Sequence, residues 1–125
     1  MHHPWKIRWH VYLPQLVLIC CAIIVFFTVC YWSINALNWG WILNRESQRE
    51  NDFLGMLYFS MGTFFRIGYG DQVPVGLSRW FAGLEALSNY LVEVLFISRL
   101  IINMLEKFIS FSIRQRLENI FHRHE

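Results

Sequence analysis

The residues best placed to do chemistry lie in one short stretch. Arg66-Ile67-Gly68-Tyr69-Gly70-Asp71 sets two glycines about one aromatic, with a fixed cation before them and a carboxylate after. Glycine has no Cβ, so a Gly-Tyr-Gly backbone can turn successive carbonyls the same way without a side-chain clash. Such extended backbone is tolerated at membrane depth only when it is buried in protein or lines a watery path. A lone Gly-Tyr-Gly also occurs in soluble loops, so its position in the chain gives it meaning. A second group of polar residues, Glu85, Asn89 and Glu93, recurs every four residues and so shares one helical stripe. The sequence has none of the usual enzyme signatures: no Ser/His/Asp or Cys/His grouping outside apolar segments, no phosphate loop and no paired histidines at metal-ligand spacing. Cys20, Cys21 and Cys30 fall within one apolar run and read as small apolar side chains.

The elements that must position these residues are apolar. Hydrophobic residues make up 55% of the 125, aromatics 18% and charged residues 16%, against about 25% charged in soluble domains. No charged residue occurs between Arg8 and Arg45, a run that a soluble domain of this size could not hide. The chain therefore reads as one small membrane domain. Residues 1–10, with Trp5, Lys6, Arg8 and Trp9, read as an interfacial anchor. Residues 11–37 form a first span, about 40 Å long at ~1.5 Å per residue and ample for a ~30 Å core. Residues 44–52 are an exposed polar turret, and Asp52 is a candidate helix cap. Residues 53–65 are apolar but too short to cross, so they read as a re-entrant helix. The negative dipole end of that helix would favour a cation at residues 66–71. Residues 80–105 form a second span, in which Glu85, Glu93 and Arg99 must face protein or water. In residues 106–125, Ile109, Ile113, Leu117 and Ile120 take one side and Arg114, Arg116, Glu118 and Arg123 the other. This amphipathic helix either prolongs the second span into a four-copy bundle or lies flat on anionic lipid. Basic residues concentrate in the two terminal pieces, which puts both termini in the cytoplasm. Two spans and a hairpin enclose no aqueous path alone, so an oligomer is implied.

Leu57-Tyr58-Phe59-Ser60-Met61-Gly62-Thr63, Ile67-Gly68-Tyr69-Gly70-Asp71, Val73-Pro74, and Arg79 with Leu84-Glu85-Ala86-Leu87 carry a resemblance. They resemble the pore helix, selectivity filter and second helix of the two-transmembrane potassium channel family, over residues 11–105. The resemblance implies an all-α membrane protein assembled as a homotetramer, in which four filter loops surround one axis and their carbonyls replace the hydration shell of potassium. It assigns that role to the backbone of Arg66, Ile67, Gly68, Tyr69 and Gly70, with Asp71 at the outer mouth. It makes Tyr58 and Phe59 an aromatic cuff, sets Glu85 behind the filter, and leaves Arg66, Asn89 and Glu93 around the inner mouth and cavity. It implies no enzyme and no cofactor, only potassium or another monovalent cation as permeant ion. The implied partners are further copies and membrane lipid, not nucleic acid, in the cell's inner (plasma) membrane.

The sequence departs from the family at several points. Phe65 and Arg66 stand where threonines are usual, and a guanidinium offers no acceptor oxygen and keeps its charge. Four such charges would repel a cation, each by about 4 kcal/mol at ~4 Å and an effective dielectric near 20. Either Arg66 pairs with Glu93 or Glu85, or the arginines seal the mouth and the protein is a non-conducting or altered relative. The family's hinge glycine falls near Asn89, leaving Ser88 as the candidate weak point, and Gly62 leaves room behind the filter. His10, His122 and His124, with Glu118 and Arg123, form either a proton-sensitive inner gate or a solvated polar tail.

Overall fold

The computed structural model describes residues 9–123, so most of the N-terminal anchor and His124 lie outside the described residues. Three helices dominate: α1 (Trp9–Ala36), α2 (Phe53–Phe64) and α3 (Ser78–Phe121). His10–Ala36 is long and apolar enough to cross a membrane. Pro14 lies in the second turn of α1, where its missing N–H withholds one bond from the ladder. The hydroxyls of Thr28 and Ser33 donate to the carbonyls four residues back, Ile24 and Val29, both at 2.8 Å.

α1 ends in a left-handed turn. Asn38 adopts φ 58°, its N–H donates to the Asn35 carbonyl, and the Trp39 N–H reaches the Ile34 carbonyl at 3.2 Å. This paired arrangement satisfies carbonyls that the helix end would orphan, and asparagine accepts the left-handed position more readily than most residues.

Two short strands absent from the all-helical expectation follow. β1 (Gly40–Leu43) pairs antiparallel with β2 (Val73–Gly76), Gly40 opposite Gly76 and Ile42 opposite Pro74. Neither run is long or alternating enough to announce a strand, and the pairing closes across the whole turret, α2 and the loop after it. A side chain cannot replace Gly40, because its Cβ would lie 2.6 Å from the Val75 carbonyl oxygen. The ribbon joins the two ends of the segment that carries the candidate filter, so that segment leaves and re-enters the helical layer at one place.

Asp52 takes the N-cap position of α2 with extended backbone, but its carboxylate makes no capping bond. The expected side-chain cap is absent. The Asp52 N–H instead donates to Glu50 Oε1 at 3.0 Å, so the acid that organises this turn is the one two residues earlier. The turret is fastened by Arg49. Its Nε donates to Asn35 Oδ1 at 2.6 Å, Nη1 to Asn38 Oδ1 at 2.7 Å and Nη2 to the Asn35 carbonyl, while the guanidinium lies 5.3 Å from the Trp41 ring centre.

α3 runs unbroken through Asn89 and on to Phe121. Its 44 residues extend about 66 Å at ~1.5 Å per residue, roughly twice a hydrocarbon core. Residues 80–105 and the amphipathic segment that follows them are thus one helix. The core is small and aromatic: Phe27 and Tyr31 of α1, Ile42 of β1, and Met56 and Phe59 of α2, with Ile23, Phe81 and Ala82 against them.

Arg49→Ala removes three hydrogen bonds and a cation–π contact at once, and is expected to cost about 1–3 kcal/mol. Thermal unfolding of the detergent-solubilised protein checks this, and Arg45→Ala, whose side chain is exposed and makes no such bonds, is the control.

Candidate functional site

The site is built on the C-terminal end of α2. There the Arg66 N–H donates to the Thr63 carbonyl at 3.1 Å and the Ile67 N–H to the Gly62 carbonyl at 2.9 Å, with Arg66 at φ 55°. This is the helix-ending motif seen at Asn38, but with an arginine in the position glycine normally takes. A non-glycine residue there carries roughly 1–2 kcal/mol of strain. Gly68 (φ 62°) and Gly70 (φ 75°) continue the pattern. Every second residue from 66 to 70 is thus left-handed, while Ile67 and Tyr69 between them are not. Glycine makes two of the three left-handed steps without strain.

The aromatic neighbours behave differently from one another. Tyr58 stacks on Tyr69, ring centres 5.8 Å apart and 14° from parallel. Phe59, one residue on, faces the other side of α2 and meets Tyr31 edge-on at 5.2 Å in the core. Successive residues on a helix point about 100° apart, so one side chain can brace the loop while the next anchors the helix. Behind the loop a crevice of about 300 Å³ is bordered by Tyr58, Gly62, Thr63, Tyr69 and Asp71. A Cβ at Gly62 would meet only the Tyr69 ring, at 3.9 Å.

The acids on α3 separate by depth of burial. Glu85 is fully buried and takes a 2.7 Å hydrogen bond from the Tyr31 hydroxyl on Oε2. The Ser60 hydroxyl reaches its Oε1 and also the Ile24 carbonyl, the latter at 3.0 Å. One residue from each helix therefore meets at this carboxyl group. Asn89, a turn further along, is buried with 7% exposure. Glu93, two turns from Glu85, is open, and Nη2 of Arg66 donates to both its carboxylate oxygens at 2.7 Å. The two side chains keep 49% and 46% of their surface exposed, so this pair contributes little to folding stability, about 0–1 kcal/mol. It is the one ion pair among the described residues.

Sequence reading placed Glu85 and Glu93 on one stripe and offered both as partners for Arg66, and the structure gives Arg66 to Glu93 alone. It missed Tyr31 and Ser60 as the groups that satisfy Glu85. A signal existed, since both carry hydroxyls on otherwise apolar helix faces, but nothing local said which acid they would meet. The left-handed backbone of Arg66 was also missed, because arginine does not announce it.

Comparison with known proteins now identifies the class. A family model described as an ion channel matches residues 18–106, and the chain belongs to that ion channel family. It is a membrane protein, as the apolar helix α1 indicates. Among curated proteins it is similar to Protein LctB of Geobacillus stearothermophilus, 41% identical over 56 residues, which cover 45% of this chain and 39% of that protein. It is similar as well to Protein LctB of Bacillus caldotenax, 42% identical over 43 residues, covering 34% of this chain and 32% of that one. The match thus spans about a third to two fifths of those relatives. No solved structure matches the chain.

Tyr31→Phe removes a donor from a buried carboxyl group and is expected to destabilise the fold by about 1–3 kcal/mol. In a thermal melt, Glu85→Ala is expected to be at least as damaging, because it strands the Tyr31 hydroxyl and leaves a void.

Proposed function

We propose that the protein is a potassium-selective channel, a homotetramer with two spans per chain and the Arg66 to Gly70 carbonyls as its ion path. In this reading α1 and the first part of α3 cross the membrane, α2 is the re-entrant pore helix, both termini are cytoplasmic, and the membrane is the cell's inner (plasma) membrane. Tyr58 braces the filter from behind, Asp71 lies at its outer mouth, and Glu93 lines the cavity below, with Asn89 buried inside the chain rather than facing it. Apolar side chains around the loop support assembly: Phe65, Ile67 and Tyr69 are 52%, 51% and 63% exposed in the single chain, where neighbouring copies would cover them.

The observation that carries the proposal is the pairing of Arg66 with Glu93. The obstacle to conduction was a ring of four guanidinium charges beneath the filter. With each charge matched by a carboxylate 2.7 Å away, the collar is neutral in sum, and a cation approaching the lowest carbonyls meets dipoles rather than net positive charge. The carbonyl end of α2 adds a favourable potential on the same side. The helix stays unbroken through Asn89, so any opening of the inner end bends α3 elsewhere or moves it as a rod.

Purified protein in planar bilayers is expected to pass potassium in preference to sodium. Glu93→Gln leaves the arginines unmatched and is expected to lower potassium conductance at least tenfold, about 1.4 kcal/mol of added barrier. Its effect on thermal stability stays below about 1 kcal/mol. Arg66→Gly removes the charge while keeping the left-handed backbone, so Glu93→Gln with Arg66→Gly recovers conductance. A wild-type protein that is silent, and that passes current only as Arg66→Gly, would instead establish a sealed mouth.

A further inference from the structure

The Arg66–Glu93 pair also bears on which cations can lodge beside it. Between Ser78 and Asn103 the acids of α3 are Glu85 and Glu93. Glu85 is fully buried on Tyr31 and Ser60 and is out of reach of an ion. Asn89 is buried as well, and the Ser88 hydroxyl donates to the Leu84 carbonyl at 2.9 Å. Glu93 is therefore the one exposed acid of this stretch, its side chain 46% open. Both of its oxygens accept from the same nitrogen, Nη2 of Arg66, at 2.7 Å.

Without that guanidinium, Glu93 would favour the wrong ion. Coulomb attraction is proportional to the charge of the ion, so the free energy an unmatched carboxylate gives a divalent cation is twice that of a monovalent one. In occupancy, the monovalent enhancement is squared. Mg²⁺ needs only one or two carboxylates and its own retained waters to be held, which an exposed acid facing an aqueous path supplies. The guanidinium cancels this attraction at its source, and its charge is permanent. Arg66 stands there at a cost, since its backbone holds φ 55°, which glycine would adopt without strain.

We infer that the Arg66–Glu93 pair is a specificity device against divalent cations. Arg66 caps the exposed acid, so that Mg²⁺ and ions like it find no binding site on the cavity wall. The inference rests on the tetrameric channel proposed above, in which four Glu93 side chains surround one axis.

Mn²⁺ is a hard, oxygen-seeking dication with a paramagnetic signal, and its binding reads the site without any current. Full-length protein in detergent is sized and then titrated with MnCl₂ in potassium chloride, free Mn²⁺ being followed by electron paramagnetic resonance. Glu46, Glu50, Asp52 and the other surface acids give every variant the same background. Wild-type protein is expected to show that background alone. Arg66→Gly is expected to gain about one Mn²⁺ per tetramer, held roughly tenfold or more tighter than the background. The gain is expected to vanish when Glu93→Gln is added. Should Arg66→Gly fail to assemble, Arg66→Asn makes the same test, because asparagine also accepts the left-handed position. In bilayers, Mg²⁺ on the cytoplasmic side is expected to block Arg66→Gly at roughly tenfold lower concentration than wild type. A Mn²⁺ site in wild type that Glu93→Gln removes would overturn the inference, as would tetramers of Arg66→Gly and Arg66→Asn that gain none. A monomeric protein would overturn it together with the channel reading. A tetramer that behaves as expected towards Mn²⁺ but passes no potassium would uphold the capping of Glu93 and overturn conduction alone.

Discussion

The carboxyl group of Glu85 is the point at which the three helices are tied together. Tyr31 reaches it from α1, Ser60 from α2, and Glu85 itself belongs to α3. Between apolar helices in lipid there is little hydrophobic drive to associate, so close packing and interhelical hydrogen bonds must supply orientation. A polar group at full burial is strongly directional, since every alternative arrangement leaves it unsatisfied. The aromatic cluster of Phe27, Tyr31 and Phe59 then fills the space around this junction. The position of α2, and hence the level of the loop that follows it, depends on that one contact.

From this fixed point the loop inherits two constraints. The β1–β2 ribbon closes its base, so the chain between Gly40 and Gly76 returns to where it left. The end of α2 forces residue 66 into a left-handed turn, and an arginine occupies it in spite of the strain. Its charge is met across the gap by Glu93, two helical turns beyond Glu85 on the same face of α3. One stripe of α3 therefore does two different things: its buried end holds α2 in place, and its open end compensates the charge of Arg66. The four-residue spacing lets one rigid helix set both distances together.

α3 also passes through three environments along its length. Near Ser78 it packs against the ribbon, in its middle it carries the partner of Arg66, and beyond Asn103 nearly all its side chains are exposed. Charged groups are distributed accordingly. Glu85 and Glu93 have partners within the protein, whereas Arg99 is left facing a crevice with an apolar floor.

Much of this was legible in the residues. The uncharged run from Val11 to Leu37, the short apolar segment from Phe53, and the four-residue spacing of Glu85, Asn89 and Glu93 are periodic or compositional signals; the first two placed their helices to within a few residues, and the third marked a helix whose far end it did not place. Hydropathy and helical periodicity are local properties, so sequence alone determined the three helices, their order and the stripe of acids. Tertiary structure decided which groups meet. The partner of Arg66, the hydroxyls that satisfy Glu85 and the ribbon between Gly40 and Gly76 join residues 25 to 54 apart. Such pairings depend on how helices settle against one another, and no local pattern encodes that. The left-handed backbone of Arg66 belongs with them: it follows from how α2 must end to meet the loop, and the side chain placed there gives no sign of it.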